Sequence, residues 1–192
     1  RAWLGANPFV MVLGDNFLRG GIRHLVHRFT RERPDAQVHL VRVARPESLG
    51  VAVVDEGGRL VRVVEKPQTF VSDLAVIGVY CFTPAVHEVV ASLRPSARGE
   101  LEITDAIQGL VDRGLRVDAL PVEDYWVDTG KMGDILDANR VVLETLEPRV
   151  EGFVDERSRL SGRVVVEAGA RIVASTIEGP AIIGRDTLVE RS

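Results

Sequence analysis

Pro8-Phe9-Val10-Met11-Val12-Leu13, closed by Gly14-Asp15-Asn16, is the stretch whose reading decides the fold. An apolar run without alternation reads as a strand buried on both faces, stopped by the glycine and the aspartate. Gly20-Gly21 then precede a helix with Ile22, Leu25, Val26 and Phe29 on one face, and Pro34 closes the unit. Val38 to Val43 is the next strand. Gly50 to Val54 and Leu60 to Val64 flank Asp55-Glu56-Gly57-Gly58, a hairpin signal. Ala75 to Phe82 reads as another buried strand, followed by helices marked by Val86, Val89, Val90 and Leu93, and by Ile103, Ile107, Leu110 and Val111. Val117 to Leu120 and Val122 to Val127 look like strands. Met132, Ile135, Leu136, Asn139, Leu143 and Leu146 line a long amphipathic helix. Strands alternating with helices predict an α/β layered domain with a largely parallel sheet and ligands bound at strand ends.

After Pro148 the helical period stops. Val154, Leu160, Val166 and Ile172 recur every six residues, and after a one-residue slip Ile177, Ile183 and Val189 keep the step. One aliphatic per six residues, with Gly and Ala between, is the signature of a parallel β-helix. The expected division is therefore 1–148 and 149–192.

Composition bounds the function. The 192 residues are 45% hydrophobic and 27% charged with a net charge of -4, which fits a globular chain and argues against a nucleic acid or an anionic membrane as partner. The single cysteine, Cys81, excludes a disulfide framework and points to a reducing compartment. No apolar run approaches a membrane span, so a soluble, cytoplasmic protein is expected. The chain opens on Arg1 rather than Met and ends at Ser192 without an obvious cap, so it reads as a piece of something longer. Among 24 basic residues only Lys66 and Lys131 are lysine. Coding bias explains most of that, yet a surviving lysine can be kept for its compact ammonium.

Three strand ends carry chemistry-bearing residues. Asp15 offers hard oxygens of the kind Mg²⁺ takes, or is a turn aspartate bonded to its own backbone. Glu65-Lys66-Pro67 ends the hairpin, with Pro67 expected to impose an extended exit and the two side chains to face opposite ways. A carboxylate accepts from sugar hydroxyls and an ammonium binds phosphate; a solvated surface pair is the alternative. Asp128, in Trp126-Val127-Asp128-Thr129-Gly130, is a second acidic strand end, or with Thr129 an N-cap of the last helix. Gly50 and Gly78 interrupt strands, as glycines do at a close approach of ligand or backbone, or at a bulge. His24, His27, His39 and His87 share no metal-ligand spacing and are expected on surfaces or helix faces. Thr104 or Asp105 is expected near a helix N-terminus.

Taken in order, Val12-Leu13-Gly14-Asp15-Asn16, Leu49-Gly50-Val51, Val64-Glu65-Lys66-Pro67, Ile77-Gly78-Val79-Tyr80, Gly99-Glu100-Leu101-Glu102-Ile103-Thr104-Asp105 and Trp126-Val127-Asp128-Thr129-Gly130 resemble the sugar-phosphate nucleotidylyltransferases. The look is nearest to the long-form glucose-1-phosphate thymidylyltransferase branch, and Ile177 to Gly184 resembles the start of its β-helical tail. The resemblance implies a Rossmann-like nucleotidyltransferase sheet with helices on both faces, followed by the start of a left-handed parallel β-helix. It implies that Asp15 and Asp128 hold Mg²⁺, that Lys66 contacts the sugar phosphate, and that Gly50, Glu65 and Gly78 line the sugar site. The reaction would be transfer of a nucleotidyl group from a nucleoside triphosphate, dTTP first, to glucose 1-phosphate, with pyrophosphate leaving. Such catalysis is positioning and charge neutralisation, which needs Asp, Lys and Gly rather than a nucleophilic triad.

The family's glycine-rich nucleotide loop is absent from this sequence, and Leu49 stands where many relatives carry an aromatic. The isolated chain is accordingly expected to be inactive, and a homo-oligomer is expected. Within the family the rival is a uridylyl- or guanylyltransferase on glucose or mannose 1-phosphate. A β-helix acyltransferase would need a histidine base, and residues 150–192 contain none. A non-catalytic regulatory homologue would have no need of both aspartates and Lys66.

Overall fold

A computed structural model of the chain describes residues 3–192, so Arg1 lies outside the described residues. They divide into two compact units, the first ending at Trp126 and the second Val127–Ser192. The change from helix to six-residue step still falls near Pro148, inside the second unit.

In the first unit, β1 (Phe9–Val12), β2 (Asn16–Leu18), α1 (Arg23–Glu32), β3 (Ala36–Arg42), β4 (Gly50–Val54), β5 (Leu60–Glu65), β6 (Leu74–Phe82), α2 (Val86–Ser92), α3 (Ile103–Asp112) and β7 (Val117–Pro121) follow in order. β8 (Trp126–Asp128) stands at the division. The sheet order is β5-β4-β6-β3-β7, with β1 also paired to β6. Among the described residues of this sheet only β3 and β7 are parallel neighbours; β1, β3 and β4 all run antiparallel to β6, and β4 to β5. The largely parallel sheet expected from the alternation is therefore a mixed one. The strand–helix–strand pattern β1-α1-β3 does give two strands of one direction, but β6 is inserted between them. Periodicity reveals a crossover; it does not reveal which strand later fills the gap.

Strand β6 has two edges. β3 runs along one, from Ala36 beside Phe82 to Arg42 beside Leu74. The other is shared: β1 lies beside Val79–Phe82, and β4 meets β6 at Val51 and Ala75. Val76 to Gly78 lies at the break, where β1 ends and β4 begins. β1 is half-buried rather than sealed on both faces, because among the described residues it is paired along one edge only.

Helices cover both sheet faces, as expected. Val86, Val89, Ile107 and Leu110 from α2 and α3 pack with Val38, Leu40, Ala52 and Tyr80, while Leu25 from α1 packs with Val41, Ala75, Ile77 and Val79. Helix α1 ends where Arg33 turns left-handed (φ 49°) ahead of Pro34, its N–H still reaching the Phe29 carbonyl at 2.9 Å. The hairpin turn is built by Asp55, whose Oδ1 accepts from the backbone N–H of Gly57 and of Arg59, both at 2.9 Å. Cys81 is buried on β6, and burial pushes its thiol up to about 11, so it is an inert core residue.

His39 is fully buried, not on a surface. Its Nδ1 lies 2.7 Å from the Val79 carbonyl and its Nε2 2.8 Å from Gln37 Nε2, which also donates to the Leu25 carbonyl at 3.0 Å. A carbonyl can only accept, so Nδ1 carries the proton and Nε2 accepts. β3 has its apolar partners on one face and this polar chain on the other, which period-two reading alone cannot separate from a surface face.

The second unit begins with α4 (Met132–Leu143), whose apolar stripe is mostly exposed: Met132 80%, Ile135 54% and Leu136 65%, with Ala138 buried. Short strands follow: β9 (Arg149–Val150), β10 (Phe153–Val154), β11 (Arg159–Ser161), β12 (Val164–Val166), β13 (Arg171–Val173), β14 (Thr176–Glu178), β15 (Ala181–Ile183) and β16 (Leu188–Glu190). All pair in parallel, in the groups β10-β13-β16, β11-β14 and β15-β12-β9. The seven recurring aliphatics fall into three columns: Val154-Ile172-Val189, Leu160-Ile177 and Val166-Ile183. Val166 and Ile172 are fully buried, with Val154, Leu160, Ile177 and Ile183 packed on them. No helix among the described residues is long and apolar enough to cross a membrane.

Candidate active site

Glu65 is the last residue of β5 and pairs with Gly50, the first of β4. Its Oε2 accepts from Thr104 Oγ1 at 3.0 Å. A Cβ on Gly50 would lie 2.7 Å from Thr104 Cγ2 and 3.3 Å from that same Oε2, so the glycine leaves room for this contact. Thr104 is buried in the first turn of α3 and aims its hydroxyl at Glu65 rather than capping the helix, whose N-cap is Glu102.

Lys66 departs from expectation. The residue ahead of a proline is normally extended, yet Lys66 is left-handed at φ 40° while its N–H bonds to the Leu49 carbonyl at 3.0 Å. That backbone costs a side-chain-bearing residue about 1 kcal/mol. It turns the ammonium back, so Nζ stands 3.8 Å from Glu65 Oε1 and the two side chains share one side instead of facing apart. Arg98 joins them from the loop before α3, with Nη1 3.5 Å from Glu65 Oε1 and Nη2 2.8 Å from Glu100 Oε2. Glu102 is buried and accepts from Ser96 Oγ at 2.9 Å. Two cations thus flank a carboxylate held from behind. Both are less than half exposed, and they are suited to a phosphorylated ligand carrying hydroxyls.

At the start of β2, Asn16 Oδ1 accepts from the Gly78 N–H and the Trp126 Nε1–H, each at 2.8 Å, and Asn16 Nδ2 donates to Asp15 Oδ1 at 2.9 Å. The space a side chain would need at Gly78 is taken by Asn16 and Leu13. Burial pushes the Tyr80 phenol far above its usual range, and the Glu65 and Asp15 carboxylates push the same way. Both carboxylates therefore act on one buried ring. The structure brings Gly50, Glu65 and Lys66 together and, through Asn16, Asp15 with Gly78. Asp128 belongs to the second unit, where its Oδ1 accepts from the Gly130 N–H at 2.9 Å. Neither it nor Thr129 caps α4; the N-cap is Lys131, with no side-chain cap bond.

Asp15 and Asp128 offer the hard oxygens Mg²⁺ takes, and Mg²⁺ is ordinarily held by one or two carboxylates with waters and substrate phosphates. Among the described residues no group of three or more His, Cys, Asp or Glu converges on a metal position. Each aspartate is by itself a single hard donor of the kind that suits Mg²⁺.

Asn16 and Trp126 lie within the strand-end motifs, Thr104 is expected only near a helix N-terminus, and sequence reasoning assigns Arg98 no site role. Trp126 and Thr104 carried a usable signal: a polar-capable side chain within an otherwise buried pattern needs a partner.

This strand-end constellation on a mixed sheet belongs to a recognisable class: the family model for nucleotidyl transferase matches residues 2–145, and the chain belongs to that family. It is 54% identical over 183 residues to glucose-1-phosphate thymidylyltransferase of Streptomyces antibioticus, covering 95% of this chain and 51% of the relative. It is 50% identical over 192 residues to the enzyme of that name from Streptomyces griseus, covering all of this chain and 54% of the relative. A solved Bacillus anthracis structure assigned to glucose-1-phosphate thymidylyltransferase is similar with a TM-score of 0.65 at 34% identity, over 73% of this chain and 56% of that one. The chain spans about half the length of the curated relatives it matches.

Proposed function

We propose that this chain carries the sugar-phosphate side of a nucleotidyl transfer from dTTP to glucose 1-phosphate, yielding dTDP-glucose and pyrophosphate. The observation that carries it is the Glu65–Lys66–Arg98 arrangement, in a chain half identical to two enzymes of that name. Lys66 and Arg98 bind the sugar phosphate. Glu65, oriented by Thr104, accepts from sugar hydroxyls, and Gly50 and Gly78 line the sugar. The phosphate oxygen attacks the α-phosphorus of the triphosphate and pyrophosphate leaves from the opposite side, so no protein nucleophile is required. On the family resemblance Asp15 and Asp128 are each proposed as Mg²⁺ ligands; bound Mg²⁺ would neutralise charge on the phosphates. The full reaction is proposed for this chain acting with a nucleotide-binding loop of the kind its resemblance expects. A cytoplasmic setting, where nucleoside triphosphates are made, follows from the same reading. Residues 149–192 are proposed to begin a left-handed parallel β-helix, on the support of the three aliphatic columns.

Calorimetric titration of the 192-residue chain with glucose 1-phosphate, glucose and inorganic phosphate tests this. Glucose 1-phosphate is expected to bind more tightly than either part alone. No binding, or equal affinity for inorganic phosphate, overturns the reading.

A further inference from the structure

Asn16 stands between three groups that the sequence scatters. Two donors, the Gly78 N–H and the Trp126 indole N–H, converge on its Oδ1. Donors on that side decide which end of the amide is oxygen, and the opposite end, Nδ2, is the one that meets Asp15 Oδ1. The amide is also closed in sterically. A Cβ at Gly78 would lie 2.6 Å from Nδ2 and 2.7 Å from Cγ of Asn16, so only glycine lets the asparagine occupy this place. Rotation of the amide would give up two hydrogen bonds at once and set two donors against its nitrogen. Asp15 itself follows Gly14 at the tip of β1, where backbone alone would leave its carboxylate several rotamers. The hydrogen bond from Asn16 is one contact that restricts them.

The geometry points to Asn16 as a positioning residue: its amide orients the Asp15 carboxylate toward a divalent cation and couples that carboxylate to the Trp126 indole. The inference rests on reading Asp15 as a cation ligand. Hydrogen-bond partners of ligating groups typically carry tenfold or more of metal affinity without touching the ion. A cation that draws on Asp15 alters the Asn16 amide through Nδ2, and the indole N–H on the other end of the same amide feels the change.

The test is Mn²⁺ uptake by the 192-residue chain with glucose 1-phosphate present at one fixed concentration, followed by the electron paramagnetic resonance signal of free Mn²⁺ and read against glucose 1-phosphate without protein. Trp126 emission is recorded on adding Mg²⁺ in a Trp3→Phe background, since Trp3 is exposed and is the other of the two tryptophans. The original chain is expected to take up Mn²⁺ and to shift its Trp126 emission with Mg²⁺. Asn16→Ala should weaken Mn²⁺ about tenfold and silence the emission response; Asp15→Asn should abolish both. Gly78→Ala, which displaces the amide and leaves Asn16 in the sequence, should act in the same direction, and it decides the matter if Asn16→Ala unfolds. A merely structural asparagine would lower the melting temperature without uncoupling the emission from the cation. Unchanged affinity and emission response in Asn16→Ala or Gly78→Ala, with Asp15→Asn losing the ion, overturns the role of Asn16 and leaves Asp15 as a ligand. If Asp15→Asn binds like the original chain, or the original chain takes up no Mn²⁺, the ligand reading fails and the inference falls with it.

Discussion

After Pro148, Val154 meets Ile172 and Ile172 meets Val189, steps of 18 and 17 residues that differ only by the one-residue slip in the hexad series. In the first unit, Asn16 reaches Gly78 and Glu65 reaches Thr104 through pairings that recur nowhere else. The stacked strands bury aliphatics by repetition, so each rung depends on its neighbours and chemistry-bearing side chains stay outside the columns. The mixed sheet instead breaks its own regularity at Val76 to Gly78, and Asn16, next to Asp15, meets Gly78 there. Repetition supplies stability; a defect in repetition supplies a site.

The largest expected effect lies in the columns. Ile172 is fully buried, and truncation of such a residue costs about 2–5 kcal/mol. Ile172→Ala should unfold the stacked strands at lower denaturant, seen by far-ultraviolet circular dichroism, while the Trp126 emission transition of the first unit stays in place. Equal shifts in both would break the contrast between the regions.

Histidine titration between pH 7 and 4 acts on the first unit, since residues 127–192 contain no histidine. Burial pushes His39 down to about 4 from its ordinary 6.5, against the upward pull of the Val79 carbonyl and with a small further push from His24. The unfolded chain takes up the proton first as pH falls. Stability is thus fully present above pH 6.5 and is lost progressively down to pH 4, by about 3 kcal/mol. Urea titrations between pH 7 and 4 should show that slope, and His39→Leu should flatten it. A slope unchanged by His39→Leu would assign acid sensitivity elsewhere.

The smallest effect is at Arg19, which donates to Asp124 Oδ1 from Nε at 3.0 Å and Nη2 at 2.8 Å. The Tyr125 N–H and then Arg19 hold the Asp124 carboxyl below its usual range. The pair is solvent-exposed, so Arg19→Ala should lower the melting temperature by less than about 5 °C. A larger drop would make this latch part of the core architecture.

The same contrast explains what was legible. The hexad columns could be read because their partners lie a fixed step apart, and the hairpin because Asp55 and Gly57-Gly58 build it locally. The family resemblance located Asp15, Gly50, Glu65 and Lys66 because strand ends carry compact motifs. Insertion of β6 between β1 and β3, burial of His39 and the left-handed turn of Lys66 are decided by distant pairings that leave no periodic trace. Arg98 and Thr104 meet Glu65 only because α3 folds over the end of β5, and nothing near Glu65 in sequence announces them.

The sugar-phosphate grip at Lys66 is tested most directly by glucose 1-phosphate titrations of Lys66→Ala and Lys66→Arg. Loss of a charge-assisted hydrogen bond should raise the dissociation constant roughly ten- to hundredfold in Lys66→Ala. Lys66→Arg should not restore it, because a wide planar fork replaces a compact ammonium on a left-handed backbone ahead of Pro67. Undiminished affinity in both variants would contradict the assignment and return Lys66 to a solvated surface lysine.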